Sequence, residues 1–323
     1  MSTNIKPIKS DKKISAKQAA LTSFIVDIFD VILNGTIALI TGSVVMLAEL
    51  MQSLADLIST AFVLLGLKRS KRPPDAKHPF GYGREVYVWL MFSSLIMFFV
   101  LASFSFYFGW QQIKNPEPIK SIWLAIVVLS IAVASNFYSF TISFRRIFSG
   151  KAKKLKTFLD SSMIETKTTF ILDLVGFLAA FSGLISLGAY KITGNLRFDG
   201  IGAVVIGMVM FVFAFYLIWN SREYLIGKSV PSDVLENIRI AALETKEVQS
   251  VLDLRATALG SDQVLVNIEV HLADNLVTDE IEQVIDKIKD RICESIPSVV
   301  HVQVELETPQ QKPQPKNLVD KLD

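Results

Sequence analysis

The sequence holds a single cysteine, Cys293, so neither an intrachain disulfide nor a thiolate zinc cluster can form. Histidine is almost as scarce: only His78, His271 and His301 occur, and none lies in a long apolar run. Charge is thin at 20% of residues, against 51% apolar residues and a mean hydropathy of +0.42. That balance excludes a disordered chain and argues against an ordinary soluble enzyme. There is no Walker-type phosphate loop, which disfavours an ATP-driven pump. No apolar run carries an HExxH pair or a nucleophile with a histidine base, so the chain reads as a non-enzyme without a resident cofactor.

What the chain has is apolar length. Its 323 residues contain six runs long enough to cross a bilayer, at about 18–41, 43–67, 86–110, 121–144, 160–187 and 199–221. Residues 1–17 are polar and lysine-bearing and lack the short apolar core of a signal peptide, so the first run is expected to be retained. Charge is divided unevenly: residues 1–228 carry 24 basic and 13 acidic side chains, residues 229–323 carry 9 and 18. With the N-terminus placed in the cytoplasm, 19 lysines and arginines fall in cytoplasmic segments and 4 on the opposite side. The asymmetry puts both termini in the cytoplasm, with the cell (inner) membrane as the expected location. The basic loops alternate with the spans, which accounts for them without a nucleic-acid partner.

After Pro231 the pattern changes. Ser232 and Asp233 precede an amphipathic helix, VLENIRIAALET. SVLDLRATAL and QVLVNIEVHL, separated by Gly260-Ser261-Asp262, read as a hairpin. Thr278 opens a helix with acids in its first turn, and SVVHVQVELE is a last strand. In QVLVNIEVHL, Val264, Val266, Ile268 and Val270 should face the helices, and Asn267, Glu269 and His271 the other way. If the second and third strands are neighbours, His271 and His301 could approach across the sheet, although a histidine on a solvated strand face reads first as a surface residue. Cys293 is expected in the core. The reading is an α-helical membrane protein with six transmembrane helices plus a C-terminal cytoplasmic α+β (α-β-β-α-β) domain. Its parts are a cytoplasmic segment at 1–17, a transport domain at 18–228, a dimerisation domain at 229–308 and a disordered tail at 309–323.

Ionisable groups inside a span are costly and by default mark a pathway. Span one carries Asp27 and Asp30, span two Glu49 and Asp56, span five Glu165, Lys167 and Asp173. Counted at about 1.5 Å per residue from the basic ends, Asp30, Asp56 and Asp173 fall near mid-membrane. Glu49, Gln52 and Asp56 share one face of span two, and Glu165, Thr169 and Asp173 one face of span five. For one lone aspartate a structural contact between helices would be a serious alternative. Seven ionisable groups on three spans favour two polar faces that meet and coordinate a cation. Lys167 and Glu165 taken singly read rather as structural or entry-path groups.

The chain resembles the cation diffusion facilitator family of divalent-metal/proton antiporters, over about residues 20–307. The residues that carry the resemblance are Ile40 to Ser43, then AELMQSLADLIST, HPFGYGRE at His78 to Glu85, and NLRFDGIGAVVIG at Asn195 to Gly207. HPFGYGRE with a long basic second loop is most similar to the zinc-transporter-like branch with mitochondrial and bacterial members. The resemblance implies a four-ligand metal site between spans two and five, which here reads Gln52 and Asp56 with Thr169 and Asp173. Both aspartates match the family pattern, whereas Gln52 and Thr169 stand where the family has a first histidine or aspartate. Asp27 takes the place of a frequent asparagine. Asp27, Asp30, Glu49 and Glu165 are candidate auxiliary or entry-path groups. Oxygen donors suit hard cations, so the metal expected is manganese or iron(II), with zinc favoured by the family.

The resemblance further implies exchange of the metal for protons by alternating access, a homodimer in the lipid bilayer, and a charge contact of Arg84 with an acid near the end of span six. That acidic position reads Gly227, and Glu223, one turn earlier, is the candidate substitute. The tail domain is expected to fold and dimerise without metal. The rival reading is a scaffold or heterodimer partner of the same fold with a degenerate metal site.

Overall fold

The computed structural model describes residues 16–149, 164–261 and 263–308. Its membrane helices are α1 (Ala16–Thr41), α2 (Val44–Ser70), α3 (Glu85–Ile96), α4 (Ser103–Lys114), α5 (Ile122–Ser149), α6 (Ile164–Thr193) and α7 (Arg197–Leu225). A π-helical turn at Met97–Ala102 joins α3 to α4, which together make one span. Among the described residues six spans are thus long and apolar enough to cross a membrane, as expected, with ends shifted by less than two turns from the sequence reading. The described residues fall into two compact units. One takes its residues from 1–68, 89–141 and 169–218, the other from 69–88, 142–168 and 219–323.

In lipid, burial of apolar surface does not drive helices together, so close packing between small residues matters more. The crossing of α4 with α7 shows this. A Cβ on Gly109 would stand 2.8 Å from the Gly200 carbonyl oxygen, and one on Gly200 would stand 2.6 Å from the Gly109 carbonyl oxygen. Further along α7, a Cβ on Gly207 would meet the Phe106 nitrogen at 3.0 Å. These are backbone neighbours and cannot swing aside. Gly109→Val should therefore cost about 3 kcal/mol by forcing the two backbones apart. Thermal unfolding in detergent checks this; an unchanged midpoint would contradict the close crossing.

Between α1 and α2 the chain turns at Gly42, whose φ of +68° favours glycine. The first N–H groups of α2 then need acceptors. Asp199, in the first turn of α7 and fully buried, supplies them. Its carboxylate accepts the Ser43 hydroxyl at 2.6 Å and the N–H groups of Val44 at 2.8 Å and Val45 at 3.1 Å. One side chain of α7 thus caps another helix and fixes where α2 begins.

The tail domain follows as α8 (Ser232–Leu243), β1 (Val248–Gly260), β2 (Gln263–Leu272), α9 (Thr278–Ser295) and β3 (Val299–Leu306). The order is α-β-β-α-β, as read from the sequence. The sheet runs β1-β2-β3, with β1 and β2 antiparallel and β2 and β3 parallel. A parallel pair needs a crossover, and α9 provides it. Val264, Val266, Ile268 and Val270 are buried, together with Ile238 of α8 and Val284, Ile288 and Ile292 of α9. Glu280 closes the start of α9 by accepting the Val277 N–H at 3.0 Å. Cys293 is exposed, contrary to expectation. It follows Ile292 on the helix, and a step of about 100° carries it off the stripe formed by Val284, Ile288 and Ile292.

The segment joining α2 to α3 belongs to the same unit as the tail domain. Asp75 organises it, accepting the Tyr82 hydroxyl at 2.6 Å and the N–H groups of Lys77 at 2.9 Å and His78 at 2.8 Å. These bonds, the Tyr82 one foremost, hold its carboxyl below the usual range. The ordering they contribute is therefore present above the ordinary carboxylate range and fades as pH falls through the lowered value. Gly83 then meets the β1–β2 turn: a Cβ on it would stand 2.5 Å from the Leu259 carbonyl oxygen.

Candidate metal site

Three helices of the membrane unit place carboxylates within electrostatic range of one another. Asp56 on α2 lies within electrostatic range of Asp27 and Asp30 on α1 and of Asp173 on α6. Asp27 also senses Asp173 and accepts a hydrogen bond from Thr60 on α2. Glu49, one turn from Gln52, lies within range of Asp30. Neighbouring contacts hold the helices in register. Asn34 on α1 donates to the Ser53 hydroxyl at 2.7 Å, and Ser59 and Ser93 share a hydrogen bond of 2.7 Å between α2 and α3.

Within this group Gln52 is 2% exposed and turns its amide nitrogen to both oxygens of Asp56, at 3.1 and 3.2 Å. Its carbonyl oxygen is left buried without a partner, as are Asp27 Oδ2 and Glu49 Oε1. Buried oxygens without donors are destabilising unless a proton, a water or a cation reaches them. Three such atoms on the faces that carry Asp30 and Asp56 suit a passing cation. As they stand, no three His, Cys, Asp or Glu side chains among the described residues are close enough to hold one ion. The side chains of Glu165, Lys167 and Thr169 lie outside the described residues.

Arg84 and Glu223 are not ion-paired with each other within the chain. Glu223 pairs with Arg222 at 3.3 Å, while Arg84 donates to the Leu225 carbonyl at 3.5 Å. In the tail domain β2 and β3 are neighbours, yet the histidines do not approach. His301 pairs with Leu265, six residues from His271, and at strand rise that separates them by about 20 Å. His271 instead lies 3.2 Å from the Glu307 carbonyl, and His301 packs edge-on to Phe80. Residues 229–308 alone should accordingly show only weak, salt-sensitive metal binding. Titration calorimetry checks this; stoichiometric micromolar binding removed by His271→Ala would overturn it.

Asp199 is a structural acid beyond those of spans one, two and five; its signal in the sequence is an acid inside the apolar run NLRFDGIGAVVIG.

The family model for the cation efflux transmembrane domain matches residues 20–226, and that for the cation efflux protein cytoplasmic domain matches residues 230–308. The chain belongs to the cation efflux family. Relatives within this cation efflux group include the mitochondrial proton-coupled zinc antiporter SLC30A9 of Xenopus laevis, 28% identical over 74% of this chain and 43% of its own length. The Homo sapiens protein of the same name is 26% identical over the same shares. The metal cation efflux system protein CzcD of Cupriavidus metallidurans is 28% identical over 75% of this chain and 72% of its own. The chain thus spans less than half the length of the antiporters. A solved structure of the MamM CTD covers 24% of this chain and 95% of its own, at 20% identity and a TM-score of 0.23. The cation efflux family and these relatives are transporters, not enzymes.

Proposed function

We propose that this cation efflux protein moves a divalent metal out of the cytoplasm in exchange for protons, by alternating access around Asp56 and Asp173. Gln52 and Thr169 complete the ligand set, and Asp27, Asp30, Glu49 and Glu165 serve as auxiliary or entry-path groups. The observation that carries the reading is that four aspartates on α1, α2 and α6 lie within electrostatic range of Asp56 or of one another, together with three unpartnered buried oxygens on α1 and α2. The chain works as a homodimer through its tail domain, with both termini in the cytoplasm, in the inner membrane.

The carboxylates explain the exchange. A cation binds their ionised forms, so loading the site expels protons, and protons arriving from the far side expel the metal. Moving a 2+ ion uncompensated against a potential costs roughly 4.6 kcal/mol per 100 mV. Proton counterflow offsets part of that. Gln52 suits both states of the site, because its amide nitrogen steadies Asp56 while its carbonyl oxygen stays available.

An oxygen-only set suits manganese or iron(II), whereas the antiporter relatives are named for zinc. Installing imidazole tests the donor logic. Gln52→His with Thr169→His should raise the zinc-to-manganese transport ratio about tenfold, a difference of ~1.4 kcal/mol. An unchanged ratio would place selectivity elsewhere.

Uptake of metal into proteoliposomes tests the function. Uptake above empty vesicles supports a transporter. Uptake equal to empty vesicles, with every metal of a manganese, iron(II), cobalt, zinc and cadmium panel, supports the scaffold reading.

A further inference from the structure

A second site stands apart from the metal pathway, in the unit that holds the tail domain. Between the segment joining α2 to α3 and the sheet face opposite the helices lies an open cleft of about 750 Å³. That volume suits a ligand of nucleotide or lipid-headgroup size. The chemistry of its walls is specific. Lys77 and Arg84 line it and make no ion pair among the described residues. The acids nearby are already engaged: Asp75 by Tyr82 and His78, and Glu85 by Arg69 at 3.8 Å.

Two polar atoms at the cleft are unmet. Arg84 Nε is buried without a partner, and so is Asn267 Oδ1 on β2. One is a donor with positive charge, the other an acceptor on the opposite wall. Between them run apolar surfaces from Phe80, Leu259 and Leu265. Glu85 and Val88, also in the lining, open a membrane-long helix, so by chain connection the cleft adjoins a span end.

We infer that this cleft binds a phosphate-bearing amphiphile, its phosphate on Lys77 and Arg84, a hydroxyl or amine of the ligand on Asn267 Oδ1, and its apolar body against Phe80, Leu259 and Leu265. Arginine and lysine recognise phosphate by charge-assisted hydrogen bonds, which strengthen where water is partly excluded. Arg84 and Asn267 are only half-buried, and a turn of each side chain toward the ligand gives the two unpartnered atoms a partner and removes their cost. Because one wall is the α2–α3 segment and the other the tail sheet, occupancy clamps the two together. The inference does not rest on the transport reading, since none of these groups lies on the metal pathway.

Two soluble probes separate the sources of such a phosphate: dihexanoyl phosphatidate for a lipid headgroup and AMP for a free nucleotide. Each is titrated calorimetrically into the full chain in neutral detergent, for wild type, Lys77→Ala and Asn267→Leu. Lys77 is exposed, so its variant leaves the fold intact. Saturable one-to-one binding of either probe, weakened at least tenfold in both variants, supports the site. Which probe binds identifies the source. No saturable binding of either, or binding that both variants retain unchanged, overturns it. Metal uptake by Lys77→Ala in phosphatidylcholine vesicles gives a separate readout, so failure of this site and failure of the transport reading remain distinguishable.

Discussion

Replacing Asp56 or Asp173 with asparagine should bring metal flux down to that of empty vesicles, a loss of at least ~100-fold, or about 2.7 kcal/mol. The substitution keeps the volume and removes the charge. At Asp56 the variant loses one of the two oxygens that accept from the Gln52 amide, and with it the negative charge that a 2+ ion requires. Water cannot replace it, because a neutral donor in a poorly hydrated place stabilises a divalent ion far less than a carboxylate does. The same reasoning holds for Asp173, the acid of α6 within range of Asp56. Both variants should elute as the wild-type dimer in detergent. Full flux in both would remove the proposed site, and aggregation of either would shift the test to alanine and glutamate at the same positions.

The other large effect lies away from the metal. Asp199→Ala should destabilise the membrane unit by roughly 5 kcal/mol, since hydrogen bonds to a charged acceptor contribute about 1.5–3 kcal/mol each. Three donors lose their acceptor together: the Ser43 hydroxyl and the N–H groups of Val44 and Val45. Asp199 is fully buried, so water does not reach them readily. Asp199→Asn keeps one acceptor oxygen but turns an amide donor toward other donors, and should lose about half as much. The variants should also differ in kind from Asp56→Asn: Asp199→Ala lowers the unfolding midpoint, Asp56→Asn lowers flux at an unchanged midpoint. A wild-type midpoint in Asp199→Ala would show that α2 is capped by other means.

The six spans were legible because bilayer thickness demands a minimum apolar length, and the tail domain because its hydrophobic period changes from 3.6 to 2. The π-helical turn at Met97–Ala102 was not, since MFFVLA holds no residue that marks it. The exposure of Cys293 follows from helix phase rather than from cysteine's apolar character: Val284, Ile288 and Ile292 define the buried stripe, and Cys293 is off it. The separation of His271 from His301 was hidden for a different reason. Alternation says which face a strand residue takes, not its register with a parallel neighbour reached through a helix. The polar faces of α1 and α2 could be read from spacing. The unpartnered oxygens of Asp27, Glu49 and Gln52 could not, because satisfaction of a buried group depends on neighbours that only the fold supplies.

Proton movement measured alongside metal flux tests the exchange most directly. Proteoliposomes loaded with a pH-sensitive dye are given the transported metal outside at zero membrane potential. The account predicts metal entry with simultaneous proton exit, faster when the interior is made acidic, and neither movement in Asp56→Asn. Metal entry with no proton movement, at a rate indifferent to an imposed pH gradient, would contradict it.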